Sequence, residues 1–171
     1  MISKIIFLFV TLFGIGKIKK IPGSVASLAT TILLFFLLHI LKISPNFILT
    51  FVIIVFFISL YAVNIFIKDL DNKDPKEVVI DEFIGQSIPI CLYEIAHQGS
   101  KETNHVLTSY FIMFILFRIF DIVKPYPVSY YDKNFKNSFG VIMDDVAAGL
   151  YVVAVLVLYM VITTWKSLHK N

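Results

Sequence analysis

The sequence predicts an all-α protein, a polytopic membrane bundle of about four to five membrane-embedded helices, and three observations carry that expectation. Of its 171 residues 58% are hydrophobic, with a mean hydropathy of +0.84, against roughly 45–50% apolar in an ordinary soluble domain. Charged residues make up only 16%, where about 25% is usual. Several apolar runs approach the roughly 20 residues that a bilayer-spanning helix needs. A soluble fold of this size has too little interior for so much apolar surface, so the bilayer is the better solvent. The length suits one domain over residues 1–171, within the soft prior of about 100–200 residues each. No repeat or low-complexity tract divides it.

Each element follows in chain order. Residues 2–15 are apolar apart from Ser3, Lys4 and Thr11. A cation followed by such a run resembles a signal peptide, but the small-residue cleavage site is missing, and the run feeds into Lys17-Ile18-Lys19-Lys20. It reads as an uncleaved segment lying in or near the interface. Residues 25–41 and 46–67 are strongly apolar and joined by a short turn, so they read as a helical hairpin. Residues 146–165 also meet the span requirement. Two further stretches are weaker: 83–98 holds Gln86, Pro89 and Glu94, and 106–123 holds Arg118 and Asp121. These are expected as short, tilted or partly inserted helices shielded by the stronger ones.

If all five stretches cross, loops 16–24, 68–82 and 124–145 share one side. They carry Lys17, Lys19, Lys20, Lys68, Lys73, Lys76, Lys124, Lys133 and Lys136, against Lys42, Lys101, Lys166 and Lys170 opposite. The excess of Lys places the three loops in the cytoplasm. The net charge of +3 comes without a basic stripe interleaved with aromatics, so nucleic acid is not an expected partner. The lone cysteine, Cys91, permits no intrachain disulfide and no zinc cage.

The same three loops gather nearly all the acids. Asp81-Glu82 opens the 83–98 segment, Asp121 follows Arg118 on one helix face with Lys124 beyond, and Asp144-Asp145 precedes the last span. Pro125 is expected to end the 106–123 helix. Any one of these pairs alone reads as a helix end or cap. Together they read as a site, because ionisable groups at membrane depth are costly and tend to be functional. Carboxylates from separate segments suit a hard cation such as Mg²⁺, and Arg and Lys suit phosphate oxygens. Metal-assisted attack by water on a phosphate ester is the simplest chemistry for that set. Pro22-Gly23-Ser24, with Ser27, opens a helix and offers backbone N–H groups to an anion, with Ser24 also suited to an N-cap.

Other constellations fail on inspection. Asp69-Leu70-Asp71 lacks the hydroxyl or Val expected of an aspartyl-phosphate phosphatase, since Lys73 stands there; an EF-hand would need Gly at 74 and Glu at 80. Asp69, Asp71 and Asp74 therefore read as a solvated loop. A cysteine phosphatase would need Arg where His97 stands, and His39, His97, His105 and His169 have no ligand spacing.

The stretches IPGSVASL (21–28), VVIDEFIG (78–85), FRIFDIVKPYPVSYYDKN (117–134) and GVIMDDVAAG (140–149) resemble, in order and spacing, the phosphatidylglycerophosphatase A family. The resemblance spans roughly residues 14–165. It implies Mg²⁺-dependent removal of the terminal phosphate of phosphatidylglycerophosphate, a phosphorylated glycerophospholipid, at the cytoplasmic face of a bacterial inner membrane. It carries over Asp81, Glu82, Arg118, Asp121, Lys124, Asp144 and Asp145 as the polar set. On chemical grounds Glu82, Asp121, Asp144 and Asp145 are candidate metal ligands and Asp81 a ligand or water-activating base. Arg118 and Lys124, with Ser24, are candidates to hold phosphate. The chain departs from the family pattern at Ala26, Tyr126 and Asn137-Ser138, which bears on loop geometry and leaves every charged position in place. A lipid phosphotransferase is the second expectation, although the DGxxAR run of the common alcohol phosphotransferases is absent; a non-enzymatic ion-binding bundle is the third. Oligomeric state is left open.

Overall fold

The structure is a computed structural model that describes residues 2–72, 74–97 and 103–169. Lys73, Lys101 and Lys170, three of the cations in the loop comparison, and Gln98 at the end of one predicted segment lie outside these. Seven α-helices stand among the described residues: α1 (Ile2–Val10), α2 (Pro22–Phe35), α3 (Pro45–Ile67), α4 (Ile80–His97), α5 (Thr103–Val123), α6 (Val128–Asn134) and α7 (Ser138–Leu168). The all-α membrane bundle is what forms.

Four helices are long and apolar enough to cross a bilayer: α2 with its wider continuation to Ile40, α3, α5 and α7. Their outward faces carry bare apolar side chains, among them Ile32, Phe57, Tyr61, Phe111, Ile122 and Leu158. Water would penalise such a belt, whereas lipid matches it. Pro45 at the first turn of α3 loses no hydrogen bond there, because that N–H has no intrahelical partner in any helix. At 1.5 Å per residue the 31 residues of α7 reach about 46 Å, longer than the roughly 30 Å hydrocarbon core.

α4 is the fifth long helix, and its weak hydropathy has a structural reason. Twelve of its 18 residues are buried, and it packs against α2, α3, α5 and α7. Its first turn meets α7 and the start of α2. Its last turns place Glu94 against His39, in the continuation of α2, and Tyr110 of α5. It therefore traverses the bundle inside a sheath of the more apolar helices. The crossing with α7 is close because both sides are glycine: a Cβ on Gly149 would stand 2.4 Å from the Gly85 carbonyl oxygen, and one on Gly85 would stand 2.6 Å from that of Asp145. Pro89, four residues on, has no N–H to offer the Gly85 carbonyl. The hydrogen of Gly149 pointing there gives it a weak C–H donor instead.

Some boundaries differ from the sequence reading. α7 begins at Ser138, capped by the Asn137 side chain, which accepts from the Gly140 N–H at 3.1 Å. Asp144-Asp145 thus lies inside the helix rather than ahead of it. α2 begins at Pro22, with Ile21 at the cap position in a left-handed conformation and no side-chain cap bond. Ser24 therefore stands in the first turn, and its expected N-cap role is corrected. α1, at nine residues, is too short to span; it packs on α3 through Phe7 and Phe66, and the Val10 carbonyl accepts from the Val79 N–H at 3.0 Å.

Candidate active site

Three helices deliver the site to one end of the bundle. Ile80 starts α4 so that Asp81 and Glu82 occupy its first turn. The Gly85–Gly149 contact brings α7 against that turn and sets Asp145 beside it. Carboxylate oxygens of Asp81, Glu82 and Asp145 all lie within 4.8 Å of one another. Asp81 and Asp145 are buried and Glu82 is half-buried. Asp81 Oδ1 accepts from the Glu82 N–H at 3.1 Å, and Asp144 Oδ1 from the Asp145 N–H at 3.0 Å. Glu82 Oε2 is buried with no hydrogen-bond partner. A set of hard carboxylate oxygens, one of them unsatisfied, is the kind of donor set a divalent cation takes.

Gly23 closes the cluster from the α2 side. A Cβ there would lie 2.0 Å from Glu82 Oε1 and 3.5 Å from Arg118 Nη1. Gly23 thus packs directly on both the carboxylate and the guanidinium. Arg118 Nη1 donates to Asp121 Oδ2 at 2.9 Å and to Ser27 Oγ at 3.3 Å, while Arg118 Nε has no partner. Ser27 in turn donates to the Gly23 carbonyl at 2.9 Å. No contact of the Ser24 side chain with the cluster appears among the described residues.

Lys124 directly follows α5 in a left-handed conformation, its N–H bonded to the Phe120 carbonyl. That bend ends the helix before Pro125 and turns the side chain back toward α7. Lys124 Nζ contacts Asp132 Oδ1 and Asp144 Oδ2, each at 2.7 Å. Partial burial works against its charge, but Asp144 and Asp132 outweigh that, and its pKa stands above the ordinary lysine value. Lys124 is therefore already held between two carboxylates rather than projecting free.

The seven charged candidates fall into two linked groups. Asp81, Glu82 and Asp145 converge, whereas Asp121 and Asp144 stand at the flanks, each taken by a cation. Asp132, on α6, was not among the sequence candidates; nothing in local spacing ties it to Lys124, because the turn at 124–127 makes the contact. Asp69 and Asp71 are exposed, as a solvated loop requires. Asp74 departs from that reading: although exposed, it lines a shallow cleft with Asp132, Lys136 and Asp144. Loss of surrounding water raises its pKa more than Lys124 lowers it, and Asp132 adds to the rise.

A sequence model of the family described as Phosphatidylglycerophosphatase A matches residues 8–160. The chain belongs to that family. It is an enzyme of the phosphatidylglycerophosphatase A class, as the four motifs implied. A "Phosphatidylglycerophosphatase A" of Haemophilus influenzae is 36% identical over 84% of this chain and 82% of its own length. A Bacteroides thetaiotaomicron protein named "Putative phosphatidylinositol-3-phosphatase" is 34% identical over 81% of this chain and 83% of its own. A "Phosphatidylglycerophosphatase A" of Escherichia coli is 29% identical over 90% of this chain and 81% of its own. No solved structure matches. The phosphatidylglycerophosphatase A match covers α2 to α6 entirely and takes in every charged group of the candidate site.

Proposed function

We propose that the protein hydrolyses the terminal phosphate of phosphatidylglycerophosphate to phosphatidylglycerol, using Mg²⁺ at the carboxylate cluster on the cytoplasmic face of a bacterial inner membrane. The observation that carries this reading is the meeting of Asp81, Glu82 and Asp145 within 4.8 Å, beside Arg118, at one end of the bundle. Three carboxylates so close repel one another unless they share a proton or a cation. The unsatisfied Glu82 Oε2 favours the cation. When bound, Mg²⁺ supplies charge neutralisation at the phosphoryl oxygens and lowers the pKa of nearby water.

The chain's own groups supply position and proton transfer. Arg118 offers a planar fork to the phosphoryl oxygens, with Asp121 and Ser27 fixing its orientation. Lys124, balanced by Asp132 and Asp144, acts as a fixed positive charge. Ser24, in the first turn of α2, adds a backbone donor at a helix N-terminus. Asp81 accepts the proton of the attacking water as its oxygen bonds to phosphorus. The bond from phosphorus to the glycerol oxygen breaks, and that oxygen takes a proton from solvent.

The test uses purified protein in detergent with phosphatidylglycerophosphate, following inorganic phosphate. Release that needs Mg²⁺, stops with chelator and is lost in Asp145→Asn is the expected result. Folded protein that releases nothing, or an Asp145→Asn variant as active as the parent, would overturn it. Because one relative carries an inositol-lipid name, phosphatidylinositol 3-phosphate is the competing substrate; faster release from it would reassign the lipid while keeping the chemistry.

A further inference from the structure

Gln86 lies four residues beyond Glu82 on α4, so it stacks one turn deeper on the same helix face. The Glu82–Gly23 contact shows that this face meets α2. Gln86 has no solvent exposure, and neither its amide nitrogen nor its amide oxygen has a hydrogen-bond partner. A buried amide with both ends unsatisfied is rare, because it loses water and gains nothing in return. On the two helices that meet at this face, three buried hydroxyls are spent on carbonyls of their own helices: Ser27 on Gly23, Thr30 on Ala26 and Ser87 on Phe83. At the same end of the bundle, Glu82 Oε2 is also buried and unsatisfied. Two orphaned groups one turn apart on one face, one of them in the carboxylate cluster itself, mark a place completed by something else.

We infer that Gln86 is a positioning residue for a divalent cation held by Asp81, Glu82 and Asp145. This rests on the reading of that cluster as a cation site. The amide N–H₂ suits the outer oxygen of a ligating carboxylate, and the amide oxygen suits water on the ion. Partners of this kind orient ligands and tune affinity without touching the ion. Gln86 touches neither phosphate nor the reacting atoms, so its effect falls on ion affinity. The apo protein bears the cost of the unsatisfied amide, and the loaded protein recovers it.

That assignment predicts two effects of opposite sign, read without turnover. Mn²⁺ serves as the probe, with binding followed by electron paramagnetic resonance and isothermal titration in detergent; stability is followed by thermal unfolding in chelator. Gln86→Leu is expected to weaken Mn²⁺ binding about 10–100-fold while leaving the apo midpoint unchanged or higher. Gln86→Met repeats the test with a more flexible apolar side chain, should Leu pack badly. A purely structural amide held by buried water would instead lower the apo midpoint and leave Mn²⁺ affinity within about twofold, which overturns the inference. Parent protein whose Mn²⁺ binding survives Asp145→Asn unchanged, or that binds none, overturns the cation site and Gln86's place in it together. Mn²⁺ binding lost in Asp145→Asn but unmoved in both Gln86 variants overturns Gln86 alone.

Discussion

Gly23 makes the most economical probe of the cluster, because its missing side chain is part of the site. A methyl group there would sit 2.0 Å from Glu82 Oε1, and the carboxylate end is the part able to move. Gly23→Ala is therefore expected to cut cation affinity and phosphate release about tenfold or more, with little change in the unfolding midpoint; equal activity would show that Glu82's placement is immaterial. Lys124 gives the opposite profile. Its raised pKa means that its pairing with Asp132 and Asp144 stabilises the fold fully below the usual lysine value, about 10.4, and is lost as pH rises through the folded-state value. Stability from this source stays flat from about pH 8 to 9. Lys124→Met should lower stability by about 1–3 kcal/mol across that range, and the gap to the parent should narrow at still higher pH. A gap that widens with alkalinity would contradict the assignment. At this scale the sequence was legible where residue type carries the chemistry. The acids, Arg118 and Lys124 stood out, but Gln86 registered only as a blemish in an apolar run. Asp132 gave no signal at all, because its partner is reached through a turn whose shape no spacing rule describes.

Between elements, the α4–α7 crossing decides whether the carboxylates meet. Gly85 and Gly149 let the two backbones touch, as small residues do between membrane helices. Gly149→Leu should force them apart, costing about 1–3 kcal/mol and abolishing cation binding; retention of both would mean that the carboxylates are set by something else. The far end of α4 is fastened separately. Glu94 Oε1 accepts from Tyr110 at 3.0 Å and lies 3.2 Å from His39 Nε2, joining α4 and α5 to the continuation of α2. Glu94→Ala removes the carboxylate both partners share, leaving them only their long 3.5 Å contact with each other, and should lower stability by about 1–3 kcal/mol while Mn²⁺ affinity stays within about twofold. Loss of binding in this variant would show that the two ends are coupled. The helices themselves were readable from hydropathy, yet their starts were not. Hydropathy marks where lipid begins, and α7 extends two turns beyond that point, under Asn137, to carry Asp144 and Asp145.

Across the whole molecule, the described acids of the cluster and Lys124 share one end, and His39, Glu94 and the 41–44 turn share the other. Cys91 is fully buried, so single cysteines can report sidedness without removing it. In intact bacterial cells, Lys42→Cys is expected to react with an impermeant maleimide, and Lys133→Cys only after lysis; the reverse pattern would invert the orientation. Three spans were evident from length and composition; the fourth, α5, read as weaker because of Arg118 and Asp121, yet it is long and apolar enough to cross. The passage of 83–98 through the bundle was not evident, because Gln86, Pro89 and Glu94 lower its hydropathy for reasons that only their neighbours supply. That sheathed helix bears on biogenesis. A segment with a carboxylate near each end and an amide between them gains too little from hydrocarbon to leave the translocation machinery by itself. Its entry into the bilayer has to wait for the hairpin before it and the helix after it, so nascent chains ending near residue 100 should leave it stranded at the water boundary.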